Sequence, residues 1–265
     1  MTMLLQVQRL TMRYGSTEVL SGVDFSMNAG ELVAIVGPNG AGKSTLVAAI
    51  SGEVPATGGT VLLQAQPVAN YSARELALRR TVLPQSTSLL FHFTACEVVH
   101  LGLHCAREAG ADLDAPELVA AALEQVGIAH LRDRYVPTLS GGERQRVHLA
   151  RCLVQMQASP RLGPKLLILD EPTASLDPAH QHRVMAIASA FTRRGNAAIA
   201  VVHDLNLAAA YADRLVVLND GGVAYDGPVA GGLTPALLAD VFRLDADILS
   251  HPRTGRPVIL QTGPL

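Results

Sequence analysis

Short, continuously apolar runs recur along the chain, separated by polar or glycine-containing segments. The clearest of them are residues 32–36, residues 166–169, which follow Lys165, and residues 198–202. Runs of this length are typical of parallel strands that are buried on both faces. Before the first run, Val23, Phe25 and Met27 alternate with polar residues up to a turn signal at residues 28–30. This period of two predicts a strand with one buried face, and hence an antiparallel part beside the parallel sheet.

Helix starts are marked between these runs. Ser72 and Thr94 are each followed three residues later by a glutamate. This is the capping box, in which the hydroxyl and the carboxylate satisfy free amide donors. Asp114, which is followed two residues later by Pro116, marks a third helix start. Buried strands that alternate with helices predict an α/β fold with a mainly parallel core sheet.

The chain divides into a sheet-forming core and a helical insertion. From about residue 86 to residue 157 the pattern is mostly helical and contains no buried-strand run, which predicts an inserted helical subdomain. Asp220, Gly221 and Gly222 predict a hairpin turn. Residues from about 234 to 265 are predicted to be a short C-terminal extension. Together with the core and the helical insertion they make residues 1–265 a single predicted domain.

Composition and charge exclude several classes of protein. With 49% hydrophobic residues the chain is not disordered, and no apolar run approaches the roughly 18–20 residues of a membrane span. The balance of 21 Lys plus Arg against 23 Asp plus Glu, without a basic tract, argues against nucleic acid as a partner. Cys96, Cys105 and Cys152 form no C-x-x-C pair, so neither disulfides nor zinc are expected. Without a visible secretory signal, a cytosolic protein is predicted.

The first buried run leads directly into a glycine-rich loop. The loop consists of Gly37, Pro38, Asn39, Gly40, Ala41, Gly42, Lys43 and Ser44, and Thr45 follows it. In this pattern, G-x-x-x-x-G-K-[ST], glycines let backbone amides point at phosphate oxygens, and the next helix adds its positive end. Lys43 is then placed to reach the β- and γ-phosphates, and the Ser44 hydroxyl to ligate Mg²⁺. The loop predicts a site for a nucleoside triphosphate and its magnesium ion.

An acidic pair follows the second buried run. Asp170 and Glu171 come at the carboxyl end of this run, where ligands gather in open parallel sheets. Such a pair taken alone is more often a solvated turn, but the phosphate loop upstream favours a catalytic role. We therefore assign Asp170 to the magnesium ion and Glu171 to the water that attacks the γ-phosphate.

Residues 139–145, with the sequence L-S-G-G-E-R-Q, provide a second candidate anion site. A serine hydroxyl and glycine amides at the start of a helix are suited to binding phosphate. The segment resembles the signature sequence of ATP-binding cassette (ABC) ATPases, which kinases and small GTPases lack. The resemblance implies their P-loop NTPase fold, with ATP and Mg²⁺ as ligands. It also implies that Ser140, Gly141 and Gly142 act on the ATP of a second copy of the chain, in a head-to-tail homodimer.

The resemblance extends to further positions in the same order along the chain. Tyr14 lies where the family has an aromatic residue that stacks on adenine. Gln85 matches the glutamine that contacts Mg²⁺ or the attacking water and senses the membrane partner. Asp177, at the end of residues 175–177, matches the residue that links the two sites of the dimer. His203, after the third buried run, matches the histidine that contacts the γ-phosphate and holds the attacking water.

The layout of the chain favours one kind of ABC protein. About 95 residues separate Ser44 from Leu139, too few for the long coiled coil of repair-type members. The single phosphate loop differs from the paired cassettes of translation-type members, and most exporters are fused to membrane helices. A separate cassette is the usual layout of importers, so the resemblance implies an ATP-hydrolysing motor for a separate permease. The alternatives are a non-transport ABC regulator and a phosphotransferase, although the latter leaves residues 139–145 unexplained.

Other segments bear on the cargo. Residues 94–102 resemble the corresponding segment of importers for vitamin B12, ferric siderophores and haem. Residues 155–163 and 251–259 are most similar to haem-importing members, so haem is the first expectation, with ferric siderophore and cobalamin as alternatives. The chain departs from the pattern at His92 and Leu103, where we expect the permease to dock.

His100 and His104 are four residues apart on a predicted helix, a spacing that also suits metal or haem. An exposed helix face near the permease is the simpler interpretation, because the cargo of such importers passes through the permease. No role is therefore assigned to either histidine.

The resemblance also implies an assembly. The chain is expected at the cytoplasmic face of a bacterial inner membrane, as a homodimer bound peripherally to a permease dimer. A periplasmic haem-binding protein supplies the cargo, and no nucleic acid takes part. ATP binding closes the dimer and hydrolysis reopens it, and the motion passes to the permease through the region of Gln85 and the helical subdomain.

Overall fold

The computed structural model describes residues 2–85, 92–158, 162–173 and 176–264. The strands are β1 (Met3–Tyr14), β2 (Thr17–Asn28), β3 (Leu32–Val36), β4 (Gly58–Leu63), β5 (Gln66–Pro67), β6 (Arg80–Leu83), β7 (Leu166–Asp170), β8 (Ala197–Val201), β9 (Arg214–Asn219), β10 (Gly222–Pro228), β11 (Leu244–Ser250) and β12 (Pro257–Pro264). The helices are α1 (Lys43–Ser51), α2 (Ala73–Ala77), α3 (Ala95–His100), α4 (His104–Glu108), α5 (Ala115–Gln125), α6 (Gly141–Gln157), α7 (Pro178–Arg193), α8 (Leu205–Tyr211), α9 (Val229–Gly232) and α10 (Pro235–Phe242).

The strands of the described residues form three sheets. The central sheet has the order β10-β9-β3-β8-β7-β6, and its strands are parallel except for β10 at the edge. An antiparallel sheet has the order β2-β1-β4-β5, and β11 pairs with β12 as a separate hairpin. The predicted α/β fold, with a mainly parallel core sheet and an antiparallel part, is confirmed.

The three apolar runs of the sequence lie side by side in the central sheet. They form β3, β8 and β7, and β3 has the predicted bounds Leu32–Val36. Alternate side chains of β7 face two different cores. Leu166 and Ile168 pack with the antiparallel sheet and α1, whereas Leu167 and Leu169 pack with α5, α6 and α7. Because both faces are buried, the strand shows no alternation of apolar and polar residues.

The predicted helix starts are confirmed. The Thr94 hydroxyl accepts a hydrogen bond from the Glu97 amide (3.3 Å), and the Glu97 carboxylate accepts one from the Thr94 amide (2.7 Å) at the start of α3. Ser72 caps α2 in the same way. The Asp114 carboxylate accepts from the Glu117 amide (3.1 Å) at the start of α5. These contacts join residues three positions apart, so the local sequence is enough to predict them.

The sequence pattern does not predict strand β6 or the hairpin β11–β12. In β6, Arg80 and Thr81 interrupt the apolar run. The Arg80 side chain donates to the carbonyl oxygen of Ser51 (2.6 Å), and the Thr81 hydroxyl donates to Oε1 of Gln155 (2.8 Å). Both polar side chains are thus accommodated by partners that are distant in sequence. The predicted turn at residues 220–222 is confirmed, because β9 and β10 pair on either side of it.

Helices α3, α5 and α6 pack against one another. Helix α6 also contacts β6, and Gln155 near its end donates to the carbonyl oxygen of Ala77 (2.7 Å). Residues 86–91 of the predicted helical subdomain and residues 159–161 of the segment similar to haem importers lie outside the described residues. Separation of these helices from the core as a subdomain stays a prediction. No helix within the described ranges combines the length and the apolar character needed to cross a membrane.

The C-terminal hairpin is tied to helix α8. The side chain of Asn206 exchanges two hydrogen bonds with the backbone of Ile259 in β12, at 2.8 and 3.1 Å. Arg256 donates to the carbonyl oxygens of Ala209 (3.0 Å) and Ala212 (2.8 Å). Since Ile259 is also buried in the main core, the hairpin packs as part of the same fold.

His148 makes the folded chain sensitive to acid. Its side chain lies in α6, is 2% exposed, and has no hydrogen-bond partner for either ring nitrogen in the described part of the chain. Burial, followed by the charges of Arg151 and Arg144, lowers the pKa of His148 from 6.5 to about 4. The unfolded chain therefore takes up a proton near pH 6.5, whereas the folded chain stays neutral at this residue down to about pH 4.

We expect this residue to lower the free energy of unfolding by up to about 3 kcal/mol as the pH falls from 6.5 to about 4. The contribution of His148 to the free energy of unfolding is complete above the pKa that this residue has in the unfolded chain. It is lost as the pH falls below that value, because the unfolded state binds the proton first. Urea unfolding of His148→Leu at about pH 7 and about pH 4.5 should show a smaller acid-induced loss than the unaltered chain. The exposed His130→Leu is the matched control. Equal losses in the two variants would contradict this prediction.

Candidate functional site

The glycine-rich loop between β3 and α1 follows a path that favours glycine at two positions. Gly42, directly before α1, has a φ angle of 94°, and a Cβ there would lie 2.6 Å from Cδ2 of Leu20. A Cβ on Gly37 would lie 2.3 Å from the carbonyl oxygen of Leu218. The loop thus contacts β2 on one side and β9 on the other. These contacts hold its backbone amides at the amino end of α1, which is suited to binding anions.

Lys43 is the first residue of α1, and its side chain reaches back to the start of this loop. It is buried, and its Nζ donates to the carbonyl oxygens of Gly37 and Pro38, both at 2.9 Å. Burial lowers the pKa of Lys43, and the charges of Glu171 and Asp170 oppose that shift. The lysine is therefore within electrostatic reach of both predicted catalytic carboxylates. The fold brings the phosphate loop and the carboxyl end of β7 together.

Asp170 is the last residue of β7, and one oxygen of its carboxylate is buried. Its Oδ1 has no hydrogen-bond partner in the described part of the chain. Burial and the negative charge of the neighbouring Glu171 raise the pKa of Asp170, and the positive charge of Lys43 opposes this shift. Ser44 is exposed in the first turn of α1 and adds a hydroxyl oxygen. A carboxylate oxygen without a hydrogen-bond donor fits the preference of Mg²⁺ for hard oxygen ligands, and a serine hydroxyl is a ligand of the same kind.

No group of three or more His, Cys, Asp or Glu that could hold a metal ion occurs among the described residues. Such a group is not required for Mg²⁺ at a nucleotide. This ion keeps several waters and is bound through one or two carboxylates together with the phosphates of the substrate. The residues present therefore fit a magnesium ion that arrives with a nucleotide.

Three predicted catalytic residues meet at the carboxyl ends of adjacent strands. Gln85 follows β6, Glu171 follows β7 and His203 follows β8. Nε2 of Gln85 donates to Oε2 of Glu171 at 2.5 Å, and Nε2 of His203 lies 2.7 Å from Oε1 of the same carboxylate. The side chain of Glu171 is 13% exposed and that of His203 is 47% exposed. The carboxylate is thus held from both sides while the histidine remains open to a ligand.

The backbone of Glu171 is unusual, and the sequence did not indicate it. Its φ angle of 47° lies in the left-handed region, which costs a non-glycine residue roughly 1–2 kcal/mol. The amide of Glu171 donates to the carbonyl oxygen of Val201 (3.1 Å), and its carbonyl oxygen accepts from Nε2 of Gln145 (3.4 Å). Gln145 is the last residue of the motif 139–145. Its place in that motif is the signal from which a functional role for Gln145 could have been predicted. The contact joins α6 directly to the backbone of the predicted catalytic residue.

The start of α6 forms a second, separate recess. Ser140 caps the helix by a capping box, in which its hydroxyl accepts from the Glu143 amide (3.3 Å) and its own amide donates to the Glu143 carboxylate (2.7 Å). Asp177 caps α7 by accepting from the amide of His180 (3.0 Å). Both caps line a pocket of about 320 Å³, together with Gly141, Gly142 and Arg146. Two helix amino ends and one arginine thus face the same opening.

Hydrogen bonds from the amide and the ring of His180 lower the pKa of Asp177, so this carboxylate stays ionised over a wide range of pH. Asp177 therefore brings a stable negative charge to the pocket at the start of α6. Residue Ser175, the first of the predicted linking segment 175–177, lies outside the described residues.

Tyr14 lies at the end of β1 and is 51% exposed. It pairs with Thr17 across the turn into β2, and β2 is the strand whose Leu20 contacts Gly42 of the phosphate loop. An exposed aromatic ring therefore sits on the hairpin that adjoins this loop. The position is compatible with stacking on a base.

Other residues singled out by the sequence do not gather into a site. His100 ends α3 and lies 2.5 Å from the guanidinium of Arg107, whereas His104 begins α4 and lies 3.5 Å from the carboxylate of Glu108. Leu103 is fully buried in the main core. The Leu103 side chain itself is therefore not available to a permease, and docking at this part of the chain stays a prediction. The role of Leu103 is core packing beneath the surface of the helices.

His92, by contrast, is exposed, as expected of a docking residue. Its ring meets that of Tyr135 edge to face, with 6.4 Å between the ring centroids. Tyr135 is 52% exposed and Leu101, nearby in the chain, is 50% exposed. The segments that flank α3 thus present aromatic and apolar side chains to the outside.

The family described as "ABC transporter" matches residues 20–174, which is more than half of the chain. This chain belongs to the ABC transporter family. It is accordingly an ATP-binding and ATP-hydrolysing subunit of such a transporter, and a membrane permease is its implied partner.

Curated relatives of this ABC transporter subunit match it over nearly its whole length. The "Hemin import ATP-binding protein HmuV" of Bradyrhizobium diazoefficiens is 46% identical, over 98% of this chain and 95% of the relative. The protein of the same name from Myxococcus xanthus is 46% identical, over 98% of both chains. Among solved structures, an inward-facing metal-chelate type ABC transporter has a TM-score of 0.78 and 24% identity, covering 99% of this chain and 98% of that one. That structure bears on the fold alone.

Proposed function

We propose that this ABC transporter subunit is the motor of a haem importer. The relatives named as hemin import proteins, at 46% identity over 98% of the chain, support the cargo. The observation that carries the motor role is the meeting of Gln85 and His203 on Glu171, beside Asp170 and Lys43. This arrangement suits the attack of water on a terminal phosphate.

The phosphate loop binds ATP in this proposal. Its amides at the start of α1 and the Lys43 ammonium contact the β- and γ-phosphates, and Tyr14 stacks on the adenine. The loop residues Pro38, Asn39, Gly40, Ala41 and Thr45 complete the lining. Asp170, Ser44 and Gln85 would hold the magnesium ion. When bound, Mg²⁺ neutralises negative charge on the phosphate oxygens.

Glu171 accepts a proton from the attacking water. The Gln85 amide and the His203 ring hold its two oxygens, so the carboxylate has a fixed direction before substrate binds. The side chain of His203 is 47% exposed, and it is placed to contact both the γ-phosphate and the water. Catalysis then rests on positioning and on charge stabilisation rather than on a covalent intermediate.

A second copy of the chain completes each site. The opening at the start of α6 presents Ser140, Gly141 and Gly142, with their helix amino end, to the outside. In a head-to-tail homodimer this surface contacts the γ-phosphate of the ATP held by the partner copy. Asp177, which lines the same opening, is placed to connect the two sites.

The proposed assembly is a homodimer bound to a permease dimer at the cytoplasmic face of a bacterial inner membrane. A periplasmic haem-binding protein supplies the cargo, and no nucleic acid is involved. The exposed side chains of His92, Leu101 and Tyr135 lie close to the ends of helix α3, in the region that we expect to face the permease. Closure of the dimer on ATP moves this region, and hydrolysis releases it.

The test is transport in a reconstituted system. The chain is co-expressed with its candidate permease, the pair is placed in liposomes, and the matching binding protein is supplied with haem, a ferric siderophore or cobalamin in parallel. We expect ATP-dependent uptake with haem, and no uptake when the Glu171→Gln chain replaces the unaltered one. Uptake of ferric siderophore or cobalamin instead would overturn the cargo and leave the motor role in place. Failure to form a permease complex would overturn the transport role.

A further inference from the structure

A cavity of about 450 Å³, which we call the basal pocket, lies at the amino ends of β7 and β8. It is lined by Gln125 and Gln157, where α5 and α6 end, by Arg194 after α7, and by Lys165 and Asn196 before the two strands. Asp170 lies at the other end of β7. At about 3.3 Å per residue, the strand separates the pocket from the catalytic carboxylates by roughly 15 Å. The basal pocket is therefore distinct from the ATP site.

Lys165 contributes an unpaired positive charge to this pocket. It is 2% exposed, and its Nζ has no hydrogen-bond partner within the described residues. Alternation along β7 places its side chain on the face of Leu167, toward α6 and α7. Its backbone is fixed, because its amide donates to Oδ1 of Asn196 (3.0 Å) and its carbonyl oxygen accepts from the Ala197 amide (2.8 Å).

Leaving this ammonium without an acceptor is costly. Burial, followed by the charge of Arg79, lowers the pKa of Lys165 to about 8. The group is still mostly protonated at neutral pH, so its N–H donors are buried and unsatisfied. Such a group calls for an acceptor from outside the described residues, such as a bound ion, a water or a ligand.

The rest of the wall favours an organic anion. The side chains of Gln125, Gln157 and Arg194 form no hydrogen bond or ion pair with other described residues. No aspartate or glutamate is among the described residues that line the pocket. Leu153 and Phe191 supply buried apolar surface on the same wall. Positive charge, amide groups and apolar surface thus converge on one cavity, whose volume lies in the ordinary range of small-molecule sites.

We propose that the basal pocket binds a small organic molecule with one carboxylate and an apolar body. The carboxylate accepts hydrogen bonds from the Lys165 ammonium and from Arg194 at the exposed side of the pocket. One negative charge matches the one buried positive charge, which satisfies the donors without burying a second unpaired ion. The apolar body packs on Leu153 and Phe191, and the amides of Gln125 and Gln157 bind further polar atoms of the ligand.

Benzoate is a suitable probe, and benzamide is its neutral analogue of the same shape. Calorimetric titration of the full chain should detect binding of benzoate and no binding of benzamide. Lys165→Met keeps the packing and removes the charge, so it should weaken benzoate binding by about tenfold or more. In the absence of probe it should also raise the melting temperature, because it removes an unsatisfied buried ion.

A second pair of variants keeps the test decisive if Lys165→Met does not fold. Arg194→Gln should weaken benzoate binding, whereas Arg193→Gln should not, because the exposed Arg193 bonds to Ser189 and does not line the pocket. Three results would overturn the proposal: no benzoate binding at about 10 mM, equal binding of benzamide, or unchanged affinity in both pocket variants. Loss of benzoate binding in Lys43→Ala would also overturn it, since the probe would then occupy the phosphate loop.

Discussion

Glu171→Gln is expected to slow ATP hydrolysis by about 10²- to 10⁴-fold while ATP still binds. The replacement removes the group that accepts the proton of the attacking water. Its amide is close in size to the carboxylate and retains an oxygen that accepts from Gln85. Fold and ATP affinity should therefore change little. Steady-state phosphate release and a fluorescent-nucleotide titration measure the two quantities separately.

A matched control for this variant is Glu117→Gln on helix α5. Glu117 is exposed and lies in the helical region away from β7, so its loss of charge tests for a general effect of charge. Hydrolysis by Glu117→Gln should equal that of the unaltered chain. A near-normal rate in Glu171→Gln would show that Glu171 is not the base, whatever the control does.

Ser140→Arg is expected to reduce ATP turnover by at least about 10²-fold and to leave ATP binding by a single chain unchanged. The arginine side chain fills the pocket of about 320 Å³ at the start of α6 and removes the hydroxyl that we assign to the partner's ATP. In the proposed dimer, Ser140 does not touch the ATP held by its own phosphate loop. Binding and turnover therefore separate in this variant, which nucleotide titration and phosphate release measure.

The matched control for Ser140→Arg is Ser72→Arg. Ser72 forms the same capping box on α2 that Ser140 forms on α6, so both variants lose a helix cap worth about 1 kcal/mol. Ser72→Arg should keep normal turnover. If both variants lose turnover equally, loss of the cap rather than the composite site explains the result.

Mixing the two inactive variants tests the composite site directly. A dimer of one Glu171→Gln chain and one Ser140→Arg chain contains one site with both residues intact and one site with both altered. The mixture should therefore hydrolyse ATP, although neither variant does so when it is the sole chain present. No recovery on mixing would contradict a site that is shared between two copies.

Much of the nucleotide site was predictable because its signals are local. The spacing of Gly37, Gly42 and Lys43 after an apolar run requires a tight turn between a strand and a helix, and the structure has that turn. The position of Asp170 and Glu171 beside this turn follows from a general rule, because the carboxyl ends of parallel strands share one edge of a sheet. The caps of α2, α3 and α5 were equally predictable, because each joins residues three positions apart.

The cargo proposal depends on different information. The chemistry of the described site is that of ATP binding and carries no information on a transported molecule. The haem assignment rests on segments outside the site and on relatives named as hemin import proteins. Leu103 illustrates the limit, because it lies in the region where we expect the permease to dock whereas its own side chain is fully buried. Position in a motif does not reveal which face of a helix a residue occupies.

By itself, the sequence determined the α/β class, the phosphate loop, the helix caps and the identity of the acidic pair, since each depends on neighbouring residues or on strand periodicity. Only the tertiary structure decided which distant side chains meet. It brought Gln85 and His203 onto one carboxylate, placed Gln145 on the backbone of Glu171, and left Lys165 without an acceptor. Such contacts join residues from separate strands and helices, and packing in three dimensions sets their distances. No local pattern along the chain encodes those distances.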